Sequence, residues 1–233
     1  MTYHIEPIGT VRSPYKEKFA VPRQPGLVPS AHCEVILQGM ANSLEAVRGI
    51  EQFSHIWLLF LFDQNLEAGW RPTVRPPRLG GNERIGVFAS RATFRPNGIG
   101  MSAVKLKGIR HHNGQVIIDI GGTDLVDGTP IIDIKPYIPY SDSLPDALGG
   151  FASEQPPTLD VKFSPNAQQQ LLGKQADYHR AVITEVLAQD PRPAYKKGKS
   201  DNKTYAVNLF DFNVQFTVAE PIITVVSIDT LVQ

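Results

Sequence analysis

Hydrophobic and polar positions in this chain alternate over short stretches. Gly and Pro, 19 of each, are spread along the chain and divide it into pieces of the length expected for strands rather than long helices. Seven segments bounded by turn-forming residues are predicted as strands: residues 5–12, 34–37, 55–62, 84–91, 102–109, 116–120 and 131–134. Seven strands with little helix between them favour a mainly antiparallel barrel or sandwich over a doubly wound α/β sheet.

One short helix is predicted among these strands, over residues 44–50. Asn42 or Ser43 can serve as its N-cap, and Glu45 would lie in the first turn, where the helix dipole favours an anion.

The pattern changes at residue 141, where the chain becomes rich in Pro, Gly, Ser and Asp, as is typical of a linker. A longer helix is predicted over residues 165–188, because Ser164 can cap it and Pro165 suits the first helical position. Two strands then follow, over residues 207–218 and 222–228, with a turn at Glu220-Pro221.

We therefore predict a mainly β protein of two units. Residues 1–145 form the first unit, residues 146–163 the linker, and residues 164–233 a small α+β unit at the C-terminus.

Composition narrows the class of protein. With 42% hydrophobic and 20% charged residues, the 233-residue chain can bury a core. Cys33 is the single cysteine, which rules out an intramolecular disulfide and a Cys₂ or Cys₄ zinc site, and the histidines lack a metal-binding spacing. The longest apolar run, residues 56–62, is far shorter than the ~20 residues that span a bilayer, and the N-terminus has no signal-peptide apolar region. We expect a soluble cytoplasmic protein.

Positive charge is concentrated in two places although the formal net charge is zero. Residues 71–110 contain one acid, Glu83, and nine basic residues: Arg71, Arg75, Arg78, Arg84, Arg91, Arg95, Lys105, Lys107 and Arg110. The second cluster lies in the C-terminal unit: Arg192, Lys196, Lys197, Lys199 and Lys203. Phosphate is the obvious partner, since cations that neutralise phosphates release counterions and so provide affinity for a polynucleotide. A solvated strand face is the alternative.

Residues 98–103 match the pattern G-x-G-x-x-A of dinucleotide-binding proteins. The context is wrong, because that motif follows an apolar strand and opens a helix, whereas here a charge-alternating strand pattern follows it. Three other loops, residues 21–26, 91–97 and 124–130, hold more Pro, Gly and polar residues than simple turns need. Rigid loops of this kind can read a small polar ligand through their backbone groups, although ordinary tight turns are the alternative.

Together these segments resemble the TsaA/TrmO family. The family signature, GVFA-x-R-x-x-x-RPN, is present as residues 86–97, and further matching stretches are IGTVRSPYKEKFAVPRQPG, DLVDGTPIIDIKPYIPY and QDPRPAYKKG. Gly98 replaces the proline usual after the signature, and we expect it to loosen that loop.

The resemblance implies an S-adenosylmethionine-dependent enzyme that methylates N6 of threonylcarbamoyl-adenosine at position 37 of tRNA. It implies a small β-barrel methyltransferase domain followed by a C-terminal domain that recognises tRNA, in a homodimer with cofactor sites near the subunit interface. A cofactor-sensing RNA-binding module without turnover is the alternative function, and a small-molecule methyltransferase is a third.

The methyl donor is a cation, so most of the arginines cannot line its site and are expected to face RNA. Arg91 is the exception, because a guanidinium can bind the carboxylate of the donor's methionine end. By resemblance the cofactor-binding residues are Gln24, Pro25, Gly26, Asp63, Gln64, Arg91, Val126, Asp127, Gly128 and Thr129. Asp127 would bind the ammonium group or the ribose hydroxyls; a plain turn residue is the alternative.

The acceptor N6 is a poor nucleophile, so the enzyme must accept hydrogen bonds from the amine and align it with the bond that breaks. The segment DPRPAY supplies a carboxylate and an aromatic ring on which a base can stack, so Asp190, Arg192 and Tyr195 are the predicted catalytic residues. A helix-ending loop, or RNA docking without chemistry, is the alternative. The predicted RNA-binding residues are Arg71, Arg75, Arg78, Lys196, Lys197 and Lys203.

Overall fold

The computed structural model describes residues 3–173 and 175–231, and its N-terminal part is built of eight short strands. These are β1 Gly9–Arg12, β2 Cys33–Leu37, β3 His55–Leu61, β4 Thr73–Val74, β5 Ile85–Gly86, β6 Ile99–His112, β7 Gln115–Ile120 and β8 Pro130–Pro136. Six of them close into a barrel in the order β1–β2–β7–β6–β3–β8, all paired antiparallel, while β4 and β5 form a separate hairpin. The mainly β fold class is confirmed.

Successive side chains of the barrel strands alternate between the interior and the outer face, as the two-residue period of a strand requires. Every second residue of β7, namely Val116, Ile118 and Ile120, is buried, and β3 buries Ile56 and Leu58 in the same manner. Their partners on the outer face are more exposed, so one side of each strand fills the interior.

Two predictions in this part of the chain are wrong. Of the strand predicted over residues 84–91 only β5 forms, and Val87–Ala89 is a 3-10 turn, because Val87 is the one buried residue of the segment and cannot hold a strand against a core. The helix predicted over residues 44–50 is a run of tight turns with hydrogen bonds three residues apart, again with a single buried residue, Val47. Asn42, predicted as a cap, instead accepts a hydrogen bond from the backbone of Val116 at 2.8 Å.

The C-terminal part is a four-stranded sheet packed against helices. Its strands are β9 Asp160–Phe163, β10 Asp201–Leu209, β11 Phe212–Ala219 and β12 Ile222–Thr230, in the order β10–β11–β12–β9. Its helices are α3 Pro165–Gln170 and α4 Ala176–Ala188, whereas the described residues of the earlier part contain two short α-helices, α1 Asp63–Leu66 and α2 Pro139–Asp142. None of the described helices has the length and apolar character needed to cross a bilayer.

The helix predicted over residues 165–188 begins and ends where expected, and Ser164 caps it by accepting a hydrogen bond from the Ala167 amide at 3.1 Å. It is nevertheless interrupted after α3, where Leu171 has a non-helical ψ of 66°, and Gly173 in the gap has a φ of +105° that is incompatible with a helix. Residue 174 of that range lies outside the described residues, as do 1, 2, 232 and 233.

Two further boundaries differ from the predictions. The strand predicted over residues 207–218 is two strands, because Phe210 takes a φ of +56° and the chain turns there. Residues 160–163, predicted as the end of the linker, form β9 and pair in parallel with β12, because Val161 and Phe163 pack against the core. The division of the chain into domains remains a prediction.

The two parts dock directly on each other. Glu185 on α4 accepts hydrogen bonds from the amide and the hydroxyl of Ser30, at 2.9 and 2.6 Å, and Tyr178 accepts one from the His32 amide at 3.2 Å. The amide of Phe210 donates to the carbonyl of Pro14 at 2.7 Å. Because buried side chains of both parts belong to one hydrophobic core, the loops of the barrel are held next to those of the C-terminal sheet.

Candidate functional site

Two of the predicted loops meet through their side chains. Arg91, which follows the hairpin segment, donates from Nη1 to Oε1 of Gln24 at 2.6 Å. The side-chain amide of Gln24 in turn donates from Nε2 to the carbonyl of Arg23 at 2.6 Å. The backbone amide of Gly26 donates to the carbonyl of Gly122. The loop of residues 21–26 is therefore held against Arg91 on one side and against the end of β7 on the other.

A partly buried carboxylate that sequence reasoning missed belongs to the same place. Asp124 accepts a hydrogen bond from the Ser102 hydroxyl at 2.6 Å. Burial raises the pKa of Asp124, opposed by that hydrogen bond and by the positive charge of Arg91. Asp124 is the first residue of the predicted ligand-reading loop 124–130, but nothing in the sequence showed that Asp124 rather than Asp127 lies near Arg91. Gln24, Arg91 and Asp124 are named here the Arg91 cluster.

Asp127 has a different environment. One of its carboxylate oxygens accepts a hydrogen bond from the Ser13 amide at 2.9 Å, and the other binds Lys16 Nζ at 2.8 Å. The amide of Gly128 donates to Val11, and the hydroxyl of Thr129 donates to the carbonyl of Val126 at 2.7 Å. Residues 126–129 therefore form a turn fastened to the end of β1, and within the described residues Asp127 makes no hydrogen bond to the Arg91 cluster.

Asp63 and Gln64 are exposed in the first turn of α1, directly after β3. They too form no hydrogen bond with the Arg91 cluster among the described residues. Their position depends on Gly98, whose carbonyl accepts a hydrogen bond from the Phe62 amide at 2.7 Å and whose own amide donates to Arg95 at 3.1 Å. Gly98 is buried, its φ of +60° and the hydrogen bond of its amide both exclude a proline, and a Cβ there would meet the Leu66 side chain. The expectation that Gly98 loosens this loop stays a prediction.

The segment between α1 and β6 carries most of the first basic cluster on the surface. Arg95 is used internally, since its Nη1 donates to the carbonyl of Ser90 at 2.7 Å and its guanidinium lies 5.9 Å from the Phe88 ring centre. Arg71 lies 4.8 Å from the ring centre of Phe94 and stays exposed. Arg75 and Arg78 are exposed and form no ion pair with any residue that the structure describes.

The predicted catalytic segment after α4 is organised around a buried arginine. Arg192 binds Asp190 in bidentate fashion, at 2.8 and 2.9 Å, and also donates to Glu220 at 2.8 Å and to the carbonyl of Lys199 at 2.8 Å. Its side chain is fully buried, and the hydrogen bond to Asp190 is the main cause that raises the pKa of Arg192. Both oxygens of Asp190 are thereby occupied, whereas the nearby Tyr195 ring is 69% exposed.

The lysines of this segment differ from one another. Lys196 pairs with Asp201 at 3.1 Å, and that hydrogen bond raises the pKa of Lys196. Lys197 donates to the carbonyl of Gln189 at 3.1 Å. Lys203 lies 5.4 Å from the Tyr205 ring centre. Across residues 3–173 and 175–231 no group of three or more His, Cys, Asp or Glu residues is arranged to hold a metal ion.

Two family models match the chain. A model of the tRNA-methyltransferase O N-terminal domain matches residues 10–143, and a model of the TrmO C-terminal domain matches residues 156–231. The Escherichia coli K12 protein named tRNA (adenine(37)-N6)-methyltransferase is 57% identical over 222 residues, which cover 94% of each chain. A Pseudomonas aeruginosa protein, named as a candidate S-adenosylmethionine-dependent methyltransferase, is 47% identical over 95% of each chain.

Solved structures agree with these matches. The crystal structure of TrmO from Pseudomonas aeruginosa superposes with a TM-score of 0.81 and 39% sequence identity, covering 98% of this chain and 99% of that one. The resemblance inferred from the signature at residues 86–97 is thus confirmed. With family models and close relatives that span nearly its whole length, the chain belongs to the tRNA-methyltransferase O family.

Proposed function

We propose that this protein transfers a methyl group from S-adenosylmethionine to N6 of adenosine 37 in tRNA, and that the adenosine it accepts carries a threonylcarbamoyl group. The observation that carries the proposal is the 57% identity, over 94% of both chains, to the Escherichia coli tRNA (adenine(37)-N6)-methyltransferase. The closed barrel without a dinucleotide-binding βαβ unit and the exposed arginines beside it are consistent with a tRNA substrate and with a donor held by loops.

The Arg91 cluster is the proposed place for the methionine end of the donor. Gln24 uses only one N–H of the Arg91 guanidinium, and Arg91 is exposed, so its remaining donors can bind a carboxylate in bidentate fashion. Asp124 adds a negative charge nearby that suits the donor's ammonium group or its sulfonium. S-adenosylmethionine, when bound, supplies an electrophilic methyl group on a positively charged sulfur.

The other predicted donor residues extend this site. Pro25 and Gly26 continue the loop of Gln24, while Val126, Asp127, Gly128 and Thr129 present backbone groups on the turn beside β1. In this proposal Asp127 acts through the turn that it fastens, because its carboxylate is bound to Ser13 and Lys16. Asp63 and Gln64 would complete the site from α1.

The segment 190–195 is the proposed acceptor side. The exposed ring of Tyr195 can stack on a base of the anticodon loop, an interaction worth about 1–3 kcal/mol. Asp190 and Arg192 hold the segment in shape through their buried ion pair, so in this conformation they are positioning residues. In the transfer the N6 lone pair forms the new N–C bond, the S–CH₃ bond breaks with its electrons passing to sulfur, and N6 loses one proton.

The proposal includes a cytoplasmic homodimer. Several large apolar side chains next to the basic surface are exposed, among them Phe88 (76%), Trp70 (53%) and Met101 (54%). Large apolar side chains left exposed in this number are typical of an interface with a partner, and a second copy would bring two donor sites and two basic surfaces together. Light scattering on the purified protein should report twice the 25.7 kDa mass of one chain.

A methyl-transfer assay tests the function directly. The protein is incubated with donor labelled in the methyl group and with tRNA that carries threonylcarbamoyl-adenosine at position 37, and we expect label in that nucleoside after digestion. A tRNA with guanosine at position 37 serves as the control substrate. Donor binding without any label transfer would leave the cofactor-sensing RNA-binding module as the function.

A further inference from the structure

Two cations from different parts of the fold approach each other without a carboxylate partner. Arg23 belongs to the loop that touches Arg91, and it lines a narrow cleft together with Gln189, Asp190 and Pro191 from the segment after α4. Lys197 lies beside this cleft, since its Nζ donates to the carbonyl of the cleft residue Gln189 at 3.1 Å, and burial and the charge of Arg23 both lower the pKa of Lys197. Among the residues that the structure describes, neither cation forms an ion pair.

The electrostatics of this pair are unfavourable in the free protein. Arg23 keeps access to solvent, yet the atoms packed around its guanidinium remove enough water to lower its pKa. Burial likewise lowers the pKa of Lys197; Asp190 opposes the change, and the positive charges of Arg23 and Arg192 add to it. Asp190 cannot neutralise Lys197 fully, because both of its oxygens bind Arg192. Desolvated cations of this kind are stabilised once an anion lies between them.

The position of the pair connects it to the proposed reaction. Arg23 is the neighbour of Gln24, and its carbonyl accepts the Gln24 amide while Gln24 binds Arg91. Lys197 follows the segment that presents Tyr195. An anion bound between Arg23 and Lys197 would therefore lie between the proposed donor side and the proposed acceptor side.

We propose that Arg23 and Lys197 together bind one oxyanion of the tRNA substrate, either a carboxylate on the modified adenosine or a backbone phosphate. The inference rests on the proposed function, since it takes tRNA as the substrate. The guanidinium offers a planar pair of N–H donors and the ammonium group a further one, which suits either oxyanion. The bound anion would join the barrel to the C-terminal part and orient the RNA across their junction.

The test compares Arg23→Gln, Lys197→Gln and the double variant with Lys18→Gln, which removes an exposed cation from the same stretch of chain. Dissociation constants are measured without donor, over a range of salt concentrations, for tRNA with threonylcarbamoyl-adenosine 37 and for the unmodified transcript. We expect each single variant to bind tRNA about 10–100-fold more weakly than Lys18→Gln. The double variant should lose little more, because both side chains bind the same anion.

The two tRNAs distinguish the source of the anion. A loss confined to the modified tRNA identifies the carboxylate, whereas an equal loss for both tRNAs with a shallower salt dependence identifies a backbone phosphate. Thermal unfolding and donor binding by calorimetry are measured on the same variants. Donor binding should match that of Lys18→Gln, and the melting temperature should be no lower, since removal of an unpaired cation breaks no internal ion pair and relieves repulsion.

The inference is overturned if Arg23→Gln and Lys197→Gln bind both tRNAs as tightly as Lys18→Gln does, or if their weaker binding accompanies a lower melting temperature. Because binding is measured without methyl transfer, its result is separate from that of the proposed function. An unsubstituted protein that binds tRNA but transfers no methyl group would refute the proposed function and leave the anion site to be judged by the variants.

Discussion

The two basic clusters look alike in the sequence, but their surroundings differ. In the first, Arg71, Arg75 and Arg78 project from a segment with few buried residues and form no ion pair among the described residues. In the second, Arg192 is fully buried and bound to Asp190 and Glu220, and Lys196 is paired with Asp201. Cations without internal partners are the ones available to a polyanion, so we expect the first cluster and Lys197 of the second to serve binding, while Arg192 and Lys196 stabilise a loop.

The largest effect, on the free energy of unfolding, is expected from a substitution at Arg192. Arg192→Leu leaves the carboxylates of Asp190 and Glu220 without their counterion, and the side chain of Asp190 is only 8% exposed. Removal of one partner of a buried ion pair costs about 3–5 kcal/mol in the free energy of unfolding. Urea unfolding measures it, with the exposed Arg78→Leu as a control that should change stability by no more than about 0.5 kcal/mol. Equal stabilities of the two variants would show that the second cluster is not structural.

A smaller effect, on binding rather than folding, is expected at Arg91. Arg91→Ala should raise the dissociation constant of S-adenosylmethionine about 10–100-fold, because a charged hydrogen bond contributes roughly 1.5–3 kcal/mol. Affinity for tRNA should fall less than affinity for the donor. Calorimetry measures the first and filter binding the second, and Arg91→Lys should recover part of the loss by restoring charge without the bidentate geometry. Unchanged donor affinity in Arg91→Ala would remove Arg91 from the cofactor site.

The exposed arginines of the first cluster should act through charge alone. Replacement of Arg71, Arg75 and Arg78 by Gln is expected to weaken tRNA binding and to reduce the slope of log K against log salt by about 2–3, close to one unit per lost phosphate contact. The matched control replaces three cations that are ion-paired on the surface outside that cluster, Arg12, Arg48 and Lys135. A slope that is the same in both triple variants would refute the assignment of the first cluster to RNA.

The smallest effect concerns the pH dependence of stability beside Arg91. Burial raises the pKa of Asp124, so between its unfolded and folded pKa values the folded protein holds one more proton than the unfolded chain. Stability should therefore fall as pH rises through that interval and stay level above it. Asp124→Asn removes the titration, and its free energy of unfolding should lack this fall when the two proteins are compared by urea unfolding at several pH values. A parallel pH dependence of the two proteins would contradict the desolvation of Asp124.

Much of the fold could be predicted from periodicity. The segments predicted between turn-forming residues include all of β3 and all but the first residue of β7, and the Ser164 cap with Pro165 located the start of α3. Errors arose where local pattern and tertiary packing disagreed. The local sequence of residues 44–50 favours a helix and that of residues 84–91 a strand. Each segment has only one buried side chain, however, and one buried side chain does not stabilise a helix or a strand.

The candidate site, like the fold, could be predicted from the sequence only in part. Family motifs and charge chemistry selected Arg91 and Gln24, which the structure joins at 2.6 Å. They could not show that the carboxylate of Asp190 is occupied by Arg192, or that Asp124 rather than Asp127 lies near Arg91. Side chains far apart in sequence form or lose such partners only when the chain is folded.

The sequence by itself determined the β-rich fold class, the family and the presence of two basic clusters, because periodicity, motif residues and charge are properties of neighbouring positions. Tertiary structure alone decided which cations are free and which are bound. That outcome depends on the closure of the barrel and on the docking of α4, which bring Arg23 next to Gln189 and Lys197, residues separated from it by most of the chain.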